Sequence, residues 1–159
     1  PNNLEARTLW ADLFMEKFNA ADAERTYQEA LDINSRYVPA LVGVARVISD
    51  ERAIQRAMAI NPNSVPAMET YGQMLMRAGQ EDEAMEYFTQ ALALNPEAIK
   101  TLSFLAAQAA LEERMADYEN YYQQVEAFSP GNPEFLGDVA DAFGNNYRFT
   151  EAVEYARAS

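Results

Sequence analysis

VPAMETYGQMLMRAGQEDEAMEYFTQALALNP, residues 65–96, places two amphipathic helices in one short span. Met68, Tyr71, Gly72 and Leu75 recur at helical spacing, Gly79 interrupts, and Ala84, Phe88 and Ala91 recur at helical spacing before Pro96. Apolar residues three and four apart share one helix face, glycine commonly ends a helix, and proline cannot continue one. The stretch therefore predicts a helical hairpin. Gly72 and Ala84 carry almost no side chain, so the two helices can approach closely while Phe88 fills the space beside them.

The same order of residue types recurs along the chain. Pro62, Pro96 and Pro130 stand 34 apart, as do Ala57, Ala91, Val125 and Ser159, with Ala30 lying 27 before Ala57. One first-helix position is small five times, at Ala11, Ala45, Gly72, Ala106 and Ala140, in steps of 34, 27, 34 and 34. Beside these sit Trp10, Val44, Tyr71, Leu105 and Val139. The period and the residue order resemble the tetratricopeptide repeat, whose unit is about 34 residues long. The resemblance implies an all-α fold, a right-handed superhelical solenoid of about five helix pairs in a single domain over residues 1–159. Its units fall near 4–35, 38–62, 65–96, 99–130 and 133–159.

In unit one, helices near 4–18 and 21–33 are carried by Trp10, Ala11, Phe14, Ala23, Tyr27 and Ala30, with Asn19 as the left-handed stop between them. Unit two is seven residues short. Losing about one turn from each helix keeps both apolar faces inward, which gives helices at 38–48 and 51–60 with Ser49-Asp50 as turn and N-cap. The rival is one unbroken helix from Val38 to Ile60; Ile54 and Ala57 match the neighbouring units only in the hairpin. Unit four spans about 98–113 and 116–128. There Tyr118 replaces the small residue opening the second helix while Ala109 replaces a large one in the first, a volume-conserving exchange. Unit five begins at Pro133, and its second helix, near 149–158, runs to Ser159. Val153, Tyr155 and Ala156 are expected to need covering, by further chain or by a second copy pairing through that helix.

Composition narrows the chemistry. With 49% apolar and 23% charged residues, the 159-residue chain suits a soluble folded domain. A formal charge of −13 and a sequence pI of about 4.3 disfavour nucleic acid and anionic lipid as partners. The absence of Cys and His removes thiolate chemistry, the commonest general base and the usual transition-metal ligands. No glycine-rich phosphate loop or EF-hand spacing occurs, and no apolar run reaches the roughly 20 residues of a membrane span. No catalytic, cofactor or metal residue is expected. Glu81, Asp82 and Glu83 read as a charged first turn that suits the helix dipole, and Glu112 and Glu113 as a solvated helix end. Tyr118, Tyr122 and Phe128 read as core, and Met68, Met74, Met76 and Met85 as core or near-core filler, with Met76 able to face a groove. The chain opens Pro-Asn-Asn and reads as a piece of a longer protein, cytoplasmic or periplasmic.

In the tetratricopeptide repeat family, the first helices of successive units line a face that binds extended peptides or partner helices. By matching positions, the resemblance assigns to that face Glu5, Thr8, Asp12 and Glu16 in unit one, and Val42 and Arg46 in unit two. Unit three adds Glu69, Gln73, Met76 and Arg77; unit four Lys100, Ser103, Phe104 and Ala107; unit five Glu134, Asp138 and Asp141. The last three stand at i, i+4 and i+7 on one helix face. Both ends are thus expected to be acidic, which suits a protein or peptide bearing Lys or Arg on a non-enzymatic scaffold. The basic-and-asparagine pocket by which some relatives grip an acidic chain terminus is not matched: only Arg77 and Lys100 could contribute, against surrounding carboxylates. The run LWADLFMEKFNAADAERTYQEALDIN, residues 9–34, followed by a short unit, also resembles repeat segments that precede a zinc metallopeptidase domain in some bacterial proteins. That resemblance implies an accessory region whose catalytic residues lie outside this chain.

Overall fold

The computed structural model describes residues 3–145. The chain divides into two compact units, residues 1–94 and 95–159. In the first, α1 (Leu4–Glu16) pairs with α2 (Ala20–Ile33), α3 (Val38–Ile48) with α4 (Glu51–Ile60), and α5 (Val65–Arg77) with α6 (Glu81–Leu94). In the second, α7 (Ile99–Leu111) packs on α8 (Met115–Phe128) and on α9 (Pro133–Asn145). All secondary structure among the described residues is helical, as expected of an all-α repeat.

Local chemistry closes each hairpin. At the end of α1 the left-handed residue is Phe18 (φ 56°), not Asn19. Asn19 instead caps α2, its side-chain oxygen accepting from the Asp22 N–H at 3.2 Å. An N-cap needs a non-helical backbone and a short polar acceptor, so the Asn serves the helix that follows it. The Asn19, Gln80 and Arg114 N–H groups donate to the carbonyls of Phe14, Leu75 and Ala109, at 2.9, 2.9 and 2.8 Å. This is the Schellman closure, with the pivot held by Phe18, Gly79 (φ 75°) and Glu113 (φ 61°) in turn.

Unit two is the short hairpin rather than a continuous helix. Ser49 (φ 55°) reverses the chain, and the Asp50 carboxylate accepts from the N–H groups of Arg52 (2.9 Å) and Ala53 (3.3 Å). Helices α3 and α4 have 11 and 10 residues against 13 and 14 in α1 and α2. A further repeating device joins one hairpin to the next. The side-chain oxygens of Asn34, Asn61 and Asn95 each accept from the N–H two residues on, at 3.0, 3.1 and 3.1 Å. These Asx turns recur at the 27- and 34-residue steps of the chain and brace each connection before the next helix starts.

Both small-residue combs are buried: Ala11, Ala45, Gly72, Ala106 and Ala140 on first helices, Ala30, Ala57, Ala91 and Val125 on second helices. Tyr27, Ile54 and Phe88 fill the first unit. Gly72 has its predicted role, since a Cβ there would lie 2.6 Å from Phe88 Cε1. Gly43 makes an equally close approach that the comb does not reveal: its Cβ would lie 2.3 Å from Tyr27 Cε1. Trp10, expected in the core, is exposed and stands edge-on to Phe14 with ring centroids 5.9 Å apart. In the second unit Leu102, Ala109, Val125, Phe135 and Val139 are buried. Tyr118 is buried too, as the volume exchange requires, and stacks on Tyr122 at 6.2 Å. The second helix of unit five, with Val153, Tyr155 and Ala156, and the pairing of copies through it, lie outside the described residues.

Candidate partner-binding surface

In the first unit the first helices lie side by side, α3 against α1 and α5 against α3. Of the residues assigned to their outward face, Glu5, Glu16, Arg46 and Arg77 are exposed, while Asp12, Glu69, Gln73 and Met76 are half-buried. Thr8 and Val42 are buried, so they do not belong to that face. The Thr8 hydroxyl donates to the carbonyls of Leu4 (3.2 Å) and Glu5 (3.0 Å) in its own helix, which satisfies it without a ligand. In the second unit Ser103 and Ala107 are buried as well, and Phe104 is half-buried. Thr8, Val42 and Ser103 occupy one repeat position, and burial at all three marks it as turned toward a neighbouring helix.

Charge on these faces is largely tied up inside each unit. The Asp12 carboxylate accepts from the Tyr27 hydroxyl at 2.6 Å and lies 3.5 Å from Arg46 Nη1. Burial first, and the bond to Asp12 second, push the Tyr27 phenol well above its usual range, so it stays protonated and donating. In the second unit Lys100 Nζ reaches Asp138 Oδ1 (3.0 Å), Asp138 Oδ2 (3.2 Å) and Glu134 Oε1 (3.0 Å). The Ser103 hydroxyl adds a bond to Asp138 Oδ2 at 2.7 Å. Burial alone would lower the Lys100 ammonium; Glu134 and Asp138 overcome this and hold it above its usual value. The stripe at Glu134, Asp138 and Asp141 is thus not an open acidic end. Two of its carboxylates share one ammonium, and Asp141 is exposed beside them.

Sequence reasoning missed Ser103 and Tyr27 as partners of these carboxylates. No local signal marks a pair 35 or 15 residues apart. Among the described residues no group of three or more ligating side chains is placed to hold a metal ion, and no helix is long and apolar enough to cross a membrane.

Residues 65–98, the hairpin α5–α6 with its flanking turn, match the family model of the tetratricopeptide repeat. That hairpin is a tetratricopeptide repeat. Comparison with curated proteins finds no match. Among solved structures, the chain is similar to a thermophilic tetratricopeptide repeat protein from Thermus thermophilus, with 17% identity over 98% of this chain and 89% of that one and a TM-score of 0.71. It is also similar to pilF of Pseudomonas aeruginosa, with 18% identity over 98% and 74% of the two chains and a TM-score of 0.67. A third is YrrB, described as a tetratricopeptide repeat protein with an unusual peptide-binding site, at 16% identity over 99% and 84% with a TM-score of 0.53. At such identities the likeness is one of fold.

Proposed function

We propose that the chain is a non-catalytic scaffold for protein–protein interaction, holding a peptide or helix of a partner protein along the first helices of its repeats. The observation that carries this reading is the adjacency of α1, α3 and α5, with exposed Glu5, Glu16, Arg46 and Arg77 above a core built from the other faces. YrrB, of similar fold, is described as having a peptide-binding site, which supports a peptide as the ligand class. Within the first unit a Lys- or Arg-bearing segment fits Glu5 and Glu16. In the second unit such a segment must displace Lys100 or use Asp141, because Glu134 and Asp138 are already paired. The preference for a basic partner is therefore borne chiefly by the first unit. The metallopeptidase-accessory reading uses the same surface and differs in what else the full protein carries.

Affinity capture with the 159-residue chain, at low and high salt, tests the reading. Arg46→Glu with Arg77→Glu, and separately Asp141→Lys, reverse charge at exposed positions and leave the core intact. A Lys- or Arg-bearing partner is expected to be held more tightly by Arg46→Glu with Arg77→Glu and more weakly by Asp141→Lys, both shifts being larger at low salt. Capture unchanged in every variant means that partners bind elsewhere.

A further inference from the structure

Burying a hydroxyl costs free energy unless a partner meets it, so a tyrosine whose counterparts in the repeat are apolar calls for a reason. Tyr27, Ile54 and Phe88 stand at one repeat position, in steps of 27 and 34, and all three are fully buried. Ile54 and Phe88 show that the core there asks only for apolar bulk. The Tyr27 ring supplies it against Gly43. Its hydroxyl reaches further and donates to Asp12 Oδ1 at 2.6 Å, on the outward face of α1. Arg46 holds the Asp12 position on α3 and stands 3.5 Å from the same oxygen, beyond the roughly 2.7–2.9 Å of a charge-assisted bond. Among the described residues no hydrogen bond or ion pair reaches Asp12 Oδ2. The Asp12 and Arg46 side chains keep 44% and 48% of their surface exposed. Both α1 and α5 lie against α3, and Arg46 is open all the same. Openness here belongs to the repeat position, not to the end of the chain.

We propose that Asp12 is the anchor by which the first-helix face takes a Lys or Arg side chain of its partner, with Tyr27 as the buried residue that positions it and Arg46 as the resident cation that the partner displaces. The anchor presupposes the scaffold face proposed above and names the residue that gives it a charge preference. A carboxylate free to turn loses rotamer freedom when it pairs, whereas one already held through Oδ1 loses little. Burial keeps the Tyr27 phenol protonated, so it donates and the negative charge stays on Asp12. In the second unit Lys100 Nζ contacts Glu134 and Asp138 at 3.0, 3.0 and 3.2 Å, so those carboxylates are closed. Asp12 faces one cation, loosely and on a long side chain that can swing into water. An arriving ammonium or guanidinium finds Oδ2 in place. Glu5 and Glu16, exposed about two turns before and one turn after Asp12 on α1, extend the same preference.

A display library of random peptides about twelve residues long, enough to cross three adjacent helices, is selected on the full 159-residue chain. Enrichment of Lys or Arg is expected. One enriched peptide is then remade with norleucine for its lysine, or citrulline for its arginine, and both forms are titrated by calorimetry. Asp12→Asn keeps an acceptor for Tyr27 and removes the charge. It should weaken the charged peptide about twofold to fivefold relative to its neutral counterpart. Tyr27→Phe keeps the ring against Gly43 and removes only the hydroxyl, and should cost the charged peptide about twofold on the same scale. Arg46→Met should tighten it about twofold. A merely structural role for Tyr27 would weaken charged and neutral peptides alike, which overturns its part as a positioning residue. A charged peptide that loses nothing with Asp12→Asn overturns the anchor. Enrichment of peptides without Lys or Arg overturns it too and leaves the scaffold reading standing, whereas no enrichment of any peptide sinks both.

Discussion

Gly43 and Gly72 are the residues on which helix spacing depends. Adding a methyl group at either puts it 2.3 or 2.6 Å from an aromatic ring that is itself fully buried. Gly43→Ala and Gly72→Ala should each destabilise by about 1–3 kcal/mol in urea melts, since neither ring has room to retreat. Gly43→Ala combined with Tyr27→Leu should lose less than the two single changes summed, because the clash and the ring are removed together. Tyr118 makes the complementary case: Tyr118→Ala should cost about 3–5 kcal/mol by emptying the space its ring fills. Gly72 and Tyr118 were legible in the sequence because both stand on the 34-residue comb. Gly43 was not, because it lies two residues off the comb and its partner Tyr27 belongs to the preceding hairpin. Trp10 misled for a related reason: its position is a core position only when another helix lies over it.

At the scale of the element, hairpin two shows how little sequence suffices to break a helix. Ser49 and Asp50 do it without Gly or Pro, one by taking a left-handed backbone and the other by satisfying two amide donors. Asp50→Ala should cost about 1 kcal/mol. The bounds of α3 and α4 were readable because the seven-residue deficit, divided between two helices, leaves one register in which Ile54 and Ala57 point inward. The cross-helix cluster around Lys100 was not readable. Its members stand on α7 and α9, and only the packing of those helices brings them within 3.2 Å. It carries a pH dependence. The folded state raises the Lys100 ammonium above its unfolded value, so the cluster's contribution is complete below about pH 10 and declines as pH rises through the folded value. Tyr27, also raised, loses stability in the same direction, because the unfolded phenol ionises first. Thermal melts of the parent chain should fall on the alkaline side above about pH 10, and Lys100→Met should flatten part of that fall.

Across the whole molecule, electrostatics is set by 25 acidic residues against 12 basic ones. Such an excess repels itself in the folded state, and raising salt from about 0.01 to 0.15 M shortens the screening length from about 30 to 8 Å. Tm should therefore rise with salt over that range, by about 2–4 °C if the relief is near 1 kcal/mol. A fall would mean that pairs such as Lys100–Asp138 and Arg7–Glu29 outweigh the repulsion. The hairpin turns hold a reserve of stability. Among the described residues their pivot is glycine only at position 79, while Phe18, Ser49 and Glu113 each bear a side chain in a conformation that disfavours one. Three joints of the chain are thus held under tension by their neighbours. Replacing all three with glycine should release about 0.5–1 kcal/mol at each, summing because the joints are far apart, and should yield a hardier molecule whose buried core is untouched.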